Sequence, residues 1–282
     1  MNAKAVLIAA LLTAGAPGAA GAAANAFFPF CIDWHDARKR TYEQQAVMLK
    51  ELGYEGVGHI WLDGLGERIR SLDAQGLRLF QVSVKVSLAP GDEPYDRRFA
   101  DAVALVKGRN VQFCVLMDGM KPSDPAGDPR AAAIVREMAG MARSGGAQLV
   151  LYPHSGQWLE TIEDAVRLAR EVDRPNVGVM FNLCHFLRVS GDRDYRSRLR
   201  LAMPLLRAVS INGADERDDG PGWARYIQPL GSGSFDMAAF LGTLRELGYR
   251  GPIGLQCYGI TGDARGHLER SMAAWRRLNA AP

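Results

Sequence analysis

The sequence contains few cysteines, and their spacing excludes a common class of metal site. Four occur in 282 residues, at Cys31, Cys114, Cys184 and Cys257. None forms the C-x-x-C pair that is typical of a zinc knuckle. Each lies within an apolar, strand-like run, which favours buried free thiols. An oxidising compartment permits disulfides, but a bridge between Cys31 and Cys257 requires the first and last strands to be neighbours.

The sequence also lacks a strong excess of charge of either sign. It has 34 Lys and Arg residues against 31 Asp and Glu residues, a formal net charge of +3. Without Lys4, which lies in the N-terminal segment, the charge is 34 − 1 − 31 = +2. So small a charge indicates neither nucleic acid nor an anionic membrane as the partner. A small molecule is the expected partner, and nothing here indicates the oligomeric state.

Beyond the N-terminus there is no apolar run long enough to cross a membrane. Residues 1–26 combine Lys4, the short apolar core AVLIAALLTAG and the small residues AANA before Phe27. This pattern predicts a signal peptide, because the core is too short to span a bilayer. We therefore expect an exported protein, periplasmic or extracellular, with one mature domain over residues 27–282.

The mature chain alternates short apolar runs with amphipathic segments of helical period. The strand candidates number eight, at residues 27–32, 56–62, 79–88, 111–117, 148–154, 177–183, 208–212 and 252–258. Thr161 and Asp236 stand where helix N-caps are expected. An open doubly wound sheet would need a glycine-rich phosphate turn after the first strand, and CIDWHD does not provide one. The pattern predicts an α/β fold, a single (β/α)8 TIM barrel.

Strand alternation predicts which side chains face the barrel mouth. In QVSVKVS, Val82, Val84 and Val86 should meet the helices, while Gln81, Ser83 and Lys85 should point inward. The same alternation turns further polar side chains inward, with His185 in the loop that follows: Gln148, Tyr152, His154, Asn182, Ser210, Asn212 and Gln256. Any one of them is as readily a satisfied core residue. Their convergence at one end of the barrel predicts a site for a hydroxyl-rich ligand.

Four tryptophans fall at or just beyond predicted strand ends: Trp34, Trp61, Trp158 and Trp223. Flat apolar surfaces beside hydrogen-bonding groups suit the C–H faces and hydroxyls of a sugar. The alternative is that these side chains pack beneath loops. A small carbohydrate is the predicted ligand.

Four segments of the chain carry a family resemblance: GYEGV, LVLYPHSG, PNVGVMFNLCHFL and IQPLGSGSFDMAAFLGTLRELGYRGPIGLQ. They resemble the xylose isomerase-like TIM barrels, the sugar phosphate isomerase/epimerase superfamily. The resemblance implies a divalent metal held by Glu, Asp, His and Glu on the last four strands. These ligands correspond here to Tyr152, Asn182, Ser210 and Gln256. All four positions depart from the family pattern, although His185 is kept.

The substitutions remove both the metal ligands and the acid/base pair that the resemblance implies. Asn182 and Gln256 offer neutral oxygens, and an amide cannot shuttle protons. We expect no metal cofactor in the family geometry, although His154 and His185 leave a displaced divalent metal open. DNA repair nucleases share the fold, but they need more zinc ligands than five histidines readily supply.

Two interpretations follow from these residues. In the first, the protein is an isomerase, epimerase or lyase acting on a sugar or keto-sugar, with His154, His185 and Lys85 as acid/base groups. Tyr152, Asn182, Asn212 and Gln256 would then bind the substrate, together with the four tryptophans. In the second, the same residues bind a sugar without turning it over.

Overall fold

The computed structural model describes residues 25–216 and 222–280. Most of the predicted signal peptide, residues 1–24, lies outside the described residues. Eight strands form one parallel sheet. They are β1 (Phe27–Phe30), β2 (Gly56–Ile60), β3 (Arg78–Ser87), β4 (Gln112–Asp118), β5 (Gln148–Leu151), β6 (Val177–Asn182), β7 (Leu206–Ile211) and β8 (Ile253–Gln256). All eight strand predictions from the sequence are confirmed, with ends that shift by a few residues.

The sheet curls into a barrel because its first and last strands are neighbours. The strand order is β1-β8-β7-β6-β5-β4-β3-β2, and every registered pair is parallel. β2 closes the barrel against β1, where the Glu55 N–H donates to the Phe27 carbonyl at 3.4 Å. Glycine is required at Gly58, since a Cβ there would lie 2.8 Å from the Phe30 Cβ. The fold is therefore a single (β/α)8 TIM barrel.

Helices follow the strands and cover the outside of the barrel. They are α1 (Tyr42–Leu52), α2 (Leu65–Ala74), α3 (Phe99–Leu105), α4 (Asp128–Ser144), α5 (Ile162–Val172), α6 (Leu183–Val189), α7 (Tyr195–Ala202), α8 (Met237–Glu246) and α9 (Ala264–Ala280). Both predicted N-caps are confirmed. Thr161 accepts a hydrogen bond from the Asp164 N–H, and Asp236 accepts one from the Ala239 N–H. Within the described ranges, no helix is both long and apolar enough to cross a membrane.

Two apolar layers hold the barrel together. The larger lies between strands and helices and includes Val82, Val84 and Val86, as strand alternation predicts. The smaller layer includes Cys114, Leu116, Val150, Tyr152, Met180 and Ala208. Large branched and aromatic side chains in both layers make the barrel a packed core rather than a pore. The room for a ligand is therefore at the mouth, where the strands end.

The cysteines are free thiols rather than disulfides, as the sequence favours. All four are free thiols, and three of them, Cys114, Cys184 and Cys257, are buried. β1 and β8 pair with Phe30 opposite Gln256, which makes Cys31 and Cys257 near neighbours. Cys31 as a residue is half-buried, but loss of solvent around its sulfur raises the pKa of the thiol, so the thiol form is favoured at neutral pH.

Candidate functional site

A cavity of about 220 Å³ opens at the C-terminal ends of the strands. This is below the roughly 300–1,000 Å³ of sites for drug-sized ligands, and it suits a molecule of about one sugar ring. Among residues 25–216 and 222–280, no Asp, Glu, Lys or Arg side chain lines it, and the polar groups of this lining are neutral. The lining residues are Phe30, Cys31, Trp34, Ile60, Trp61, Ser83, Leu116, Tyr152, His154, His185, Trp223, Ile227, Gln256 and Tyr258.

Aromatic rings form the walls of this cavity. Trp34 is 51% exposed and meets Tyr258 edge-on, with ring centroids 5.6 Å apart. Trp223 follows β7 and stands edge-on to His185 at 5.1 Å. The guanidinium of Arg188 stacks on the Trp223 ring, 4.5 Å from its centroid. Three of the four predicted tryptophans therefore line one cavity: Trp34, Trp61 and Trp223.

Trp61 has a backbone conformation that bulky residues rarely adopt. Its φ is 66°, in the left-handed region. For a large side chain this conformation is strained and persists only where the surroundings enforce it. It directs the polypeptide sharply at the end of β2, and the Trp61 ring lines the cavity.

The sequence predicts that Lys85 points into the site, but Lys85 does not line the cavity. It is exposed, and its ammonium lies 4.4 Å from the centroid of the Trp61 ring. It borders a neighbouring hollow together with Asp63, Asp96 and Arg98. The reason is the position of Lys85 along β3. The pairing of β2 with β3 ends at Ile60 and Ser83, and Lys85 lies two residues beyond it. Alternation turns Lys85 to the expected face, but above the rim.

Two further predicted ligand contacts also lie away from the cavity. Trp158 is completely buried, and its indole Nε1 donates to the Asp124 carbonyl at 2.7 Å. It packs under a loop, which is the alternative that the sequence left open. Asn212 is fully buried, and its Nδ2 donates to the backbone carbonyls of Gly213 and Tyr226. Both residues hold the loops that carry the site rather than a ligand.

The four positions that correspond to metal ligands in the resembling family face the same interior. Asn182 Nδ2 donates to the Tyr152 hydroxyl, and Gln256 Nε2 reaches the same oxygen at 3.5 Å. Ser210 pairs in register with Asn182 on β6, so their side chains share a face. All four are at least 95% buried. Tyr152 and Gln256 line the cavity floor.

Hydrogen bonds engage the oxygens of both amides, and a backbone donor fixes the orientation of Gln256. The Tyr258 N–H donates to Gln256 Oε1 at 3.0 Å, and a backbone N–H can only donate. The atom turned to Tyr258 must therefore be the amide oxygen, which leaves the amino group facing Tyr152. On β6, the Cys184 thiol donates to Asn182 Oδ1 at 3.1 Å. Both amide oxygens are thus engaged away from the shared Tyr152 oxygen.

This arrangement does not fit a divalent cation. A hard cation needs several oxygen ligands that carry negative charge, and Tyr152, Asn182, Ser210 and Gln256 supply none. The two amides present N–H groups to the shared centre, which repel a cation. Across residues 25–216 and 222–280, no group of three or more His, Cys, Asp or Glu side chains is arranged to hold a metal ion.

Two histidines stand side by side at the edge of the cavity. The rings of His154 and His185 have centroids 3.9 Å apart. His154 follows β5, and His185 lies in the first turn of α6. The backbone of Ser155 contacts both rings. His154 Nδ1 lies 3.0 Å from the Ser155 carbonyl oxygen, and the Ser155 N–H donates to His185 Nδ1 at 3.3 Å.

The Ser155 peptide sets opposite tautomers on the two rings. A carbonyl oxygen only accepts, so His154 carries its proton on Nδ1 and a lone pair on Nε2. A backbone N–H only donates, so neutral His185 carries its proton on Nε2. Neither Nε2 has a hydrogen-bond partner in the part of the chain that the structure describes. One ring therefore presents a base and its neighbour presents an acid.

Both imidazoles are neutral at neutral pH. Burial lowers the pKa of His154, against smaller raising effects of the Ser155 carbonyl and Asp118. Burial also holds the pKa of His185 well below its usual range, with further lowering by His154 and Arg188. Protonation of His185 at Nδ1 would break its contact with the Ser155 N–H, whereas His154 can gain a proton on Nε2 and keep its Nδ1 contact with the Ser155 carbonyl.

Sequence reasoning did not identify Ser155 or Arg188 as parts of the site. Ser155 acts through its backbone, which no side-chain pattern reveals. Arg188 lies three residues after His185 on α6, a spacing that brings two side chains to one helix face. That spacing was the available signal, and it gives no information about Trp223 on the distant segment after β7.

Comparison with known proteins places this chain in a family. The model of the xylose isomerase-like TIM barrel matches residues 48–278. The chain belongs to the xylose isomerase-like TIM barrel family. It is 31% identical over 107 residues to the 3-dehydroshikimate dehydratases of Pseudomonas aeruginosa and Pseudomonas putida. That match spans 36% of this chain and only 16% of the length of each dehydratase.

Solved structures of the family share the fold at low sequence identity. The D-allulose 3-epimerase from Methylomonas sp., in complex with D-allulose, is 15% identical with a TM-score of 0.71. The alignment covers 90% of this chain and 97% of the epimerase. The 3-keto-D-glucoside 4-epimerase from E. coli is 16% identical with a TM-score of 0.70, over 92% of this chain and 100% of that one. These likenesses confirm the predicted barrel.

Proposed function

We propose that this protein catalyses proton transfer on a keto-sugar or a closely related cyclic ketone, without a metal at the family position. His154 acts as the general base and His185 as the general acid. The observation that carries the proposal is the pair of opposite tautomers that the Ser155 peptide sets on adjacent rings. A base and an acid within one cavity are the minimum equipment for enolisation.

The chemistry balances with these two groups alone. His154 Nε2 removes a proton from the carbon next to the carbonyl, and the electron pair moves onto the carbonyl oxygen as an enol forms. His185 Nε2–H donates a hydrogen bond or its proton to an oxygen of the substrate. Delivery of a proton from solvent to the opposite face of the carbon, with the first proton released from His154 to solvent, gives epimerisation. Loss of a hydroxyl from the next carbon, with the proton taken from His154, gives dehydration.

The ligand class is supported by the cavity walls and by the relatives. Trp34, Trp61 and Trp223 provide flat apolar surfaces, and the floor provides amide and hydroxyl groups, as a sugar ring requires. The similar structures named above are epimerases of a ketose and of a keto-glucoside, and the curated relatives are dehydratases of a cyclic ketone. We also propose export, on the signal-like pattern of residues 1–26.

A sugar-binding protein without turnover is the second candidate. The specific observation in its favour is that no carboxylate lines the cavity among the described residues. The aromatic walls and amide floor would hold a polyol in either case. The two candidates differ in whether His154 moves a proton.

Solvent hydrogen exchange tests the proposal directly. The protein is incubated in D2O with cyclic ketones of sugar size, and NMR follows loss of the C–H signal next to the carbonyl. His154→Gln should slow exchange by about 10²–10⁴-fold, the usual contribution of a general base. His267→Gln serves as the control, since His267 is a buried histidine on α9 that does not line the cavity.

The pH profile provides a second readout. Because the pKa of His154 is lowered, the exchange rate should fall only below its ordinary 6.5 and stay level above it. Equal exchange by the parent and His154→Gln would overturn the proposal. Ligand binding without exchange for any ketone would favour the binding protein instead.

A further inference from the structure

The cluster that replaces the family metal site offers hydrogen-bond donors rather than acceptors. Asn182 and Gln256 both turn their amino groups to the Tyr152 hydroxyl, and their oxygens are engaged by Cys184 and Tyr258. A place that would hold a cation in the family therefore holds N–H and O–H groups. The reversal of polarity decides which ligand atom fits.

The Tyr152 hydroxyl is the central donor of this cluster. A phenolic oxygen accepts through its lone pairs and donates one proton. The acceptor side is taken by Asn182 and Gln256, which approach with amino groups. No acceptor for the Tyr152 proton occurs among residues 25–216 and 222–280. Burial also raises the pKa of Tyr152, so the proton stays on the oxygen. Because Tyr152 lines the cavity, the remaining direction for its O–H is toward a ligand.

Ser210 supplies an independent sign that the cluster is incomplete. Its Oγ is fully buried and has no hydrogen-bond partner among the described residues. It is in register with Asn182 on one side and Gly254 on the other, which places it in the same inward row. Buried hydroxyls are normally satisfied by protein, water or ligand. An unpartnered hydroxyl beside the amides indicates that a polar group completes the network.

We propose that Tyr152 and Gln256 bind the carbonyl oxygen of an oxidised sugar, so that neutral hydrogen-bond donors take the electrophilic role of the missing cation. This inference rests on the proposed function and specifies which substrate oxygen lies on the cavity floor. As the base removes a proton, negative charge develops on that oxygen. Donors already in place there stabilise the charge without reorganisation.

The donor geometry discriminates among three kinds of oxygen. A carbonyl oxygen only accepts and therefore matches Tyr152 and Gln256. An alcohol brings its own proton, for which both nearby amide oxygens are already engaged by Cys184 and Tyr258. A carboxylate brings a full charge into a cavity whose described lining contains no Lys or Arg, where desolvation is costly. The ketone is the oxygen that the cluster favours.

Calorimetric binding of matched ketone and alcohol pairs tests this inference. Suitable uncharged pairs are methyl 3-keto-β-D-glucoside with methyl β-D-glucoside, and 2-keto-inositol with myo-inositol. In each pair one carbon changes from C=O to CH–OH. For the pair that binds most tightly, the ketone should bind about tenfold tighter, as one well-placed hydrogen bond allows.

Tyr152→Phe should reduce that ratio to near one while changing the alcohol affinity little. Tyr54→Phe is the matched control, since the Tyr54 hydroxyl is also buried and bonded, at 2.8 Å to the Leu268 carbonyl, but lies away from the cavity. Equal binding of both members, a retained ratio in Tyr152→Phe, or no binding of any ketone would each overturn the inference. A ketone preference without hydrogen exchange would refute the proposed catalysis and leave the carbonyl site standing.

Discussion

Returning carboxylates to two of the converging positions should recreate a divalent-metal site. The variant is Asn182→Asp with Gln256→Glu, which places anionic oxygens on β6 and β8 where the family carries them. In the parent these residues are 3% and 4% exposed, and they already meet at the Tyr152 hydroxyl. No backbone movement is needed to bring the new oxygens together.

The expected cost follows from the burial of these side chains. An unpaired charge in such a position lowers the free energy of unfolding by about 3–5 kcal/mol. That is a large part of the roughly 5–15 kcal/mol that stabilises a typical domain. A metal bound only by the folded state returns about 2.7 kcal/mol at a concentration one hundred times its dissociation constant. The variant should therefore be unstable in EDTA and markedly stabilised by Mn²⁺.

Denaturant unfolding in EDTA and in Mn²⁺ measures both effects. Asn212→Asp is the matched control, because Asn212 is also fully buried but lies outside the cluster. It should lose stability without recovery in Mn²⁺. If the double variant is unfolded in EDTA, cooperative unfolding regained in Mn²⁺ counts as the same result. The reasoning fails if Mn²⁺ stabilises the parent as strongly as the variant, or stabilises neither.

Two further predictions concern stability. His59 and His267 have pKa values lowered by burial from 6.5 to about 4, so the unfolded chain binds protons first as the pH falls. The free energy of unfolding should be highest above pH 6.5 and should fall by ~3 kcal/mol per histidine as the pH is lowered to 4. A free energy of unfolding that does not change over this pH range would contradict the prediction. Trp158→Ala should lower the free energy of unfolding by about 3–5 kcal/mol and leave ligand affinity unchanged. Trp61→Ala should instead weaken ligand binding in calorimetry and change stability little. Equal effects of the two substitutions on both measurements would refute the assignment.

Much of the fold can be predicted from the sequence because strand and helix periods are local properties. The alternation in QVSVKVS places Val82, Val84 and Val86 against the helices, and the caps at Thr161 and Asp236 mark helix starts. Parallel strands bring their carboxyl ends to one edge, so the sequence also predicts that Tyr152 and Gln256 meet. Eight βα units then determine a barrel.

The tertiary structure alone decided how far each side chain stands from the rim and which atom it presents. Alternation gives Lys85 a face but no height, and β3 extends beyond its neighbour, so the ammonium rests on Trp61 outside the cavity. The Trp158 indole is bonded to the Asp124 carbonyl, 34 residues away in sequence. The tautomers of His154 and His185 depend on the backbone N–H and C=O of Ser155. Such contacts join residues that no local pattern connects, and they set the chemistry of the site.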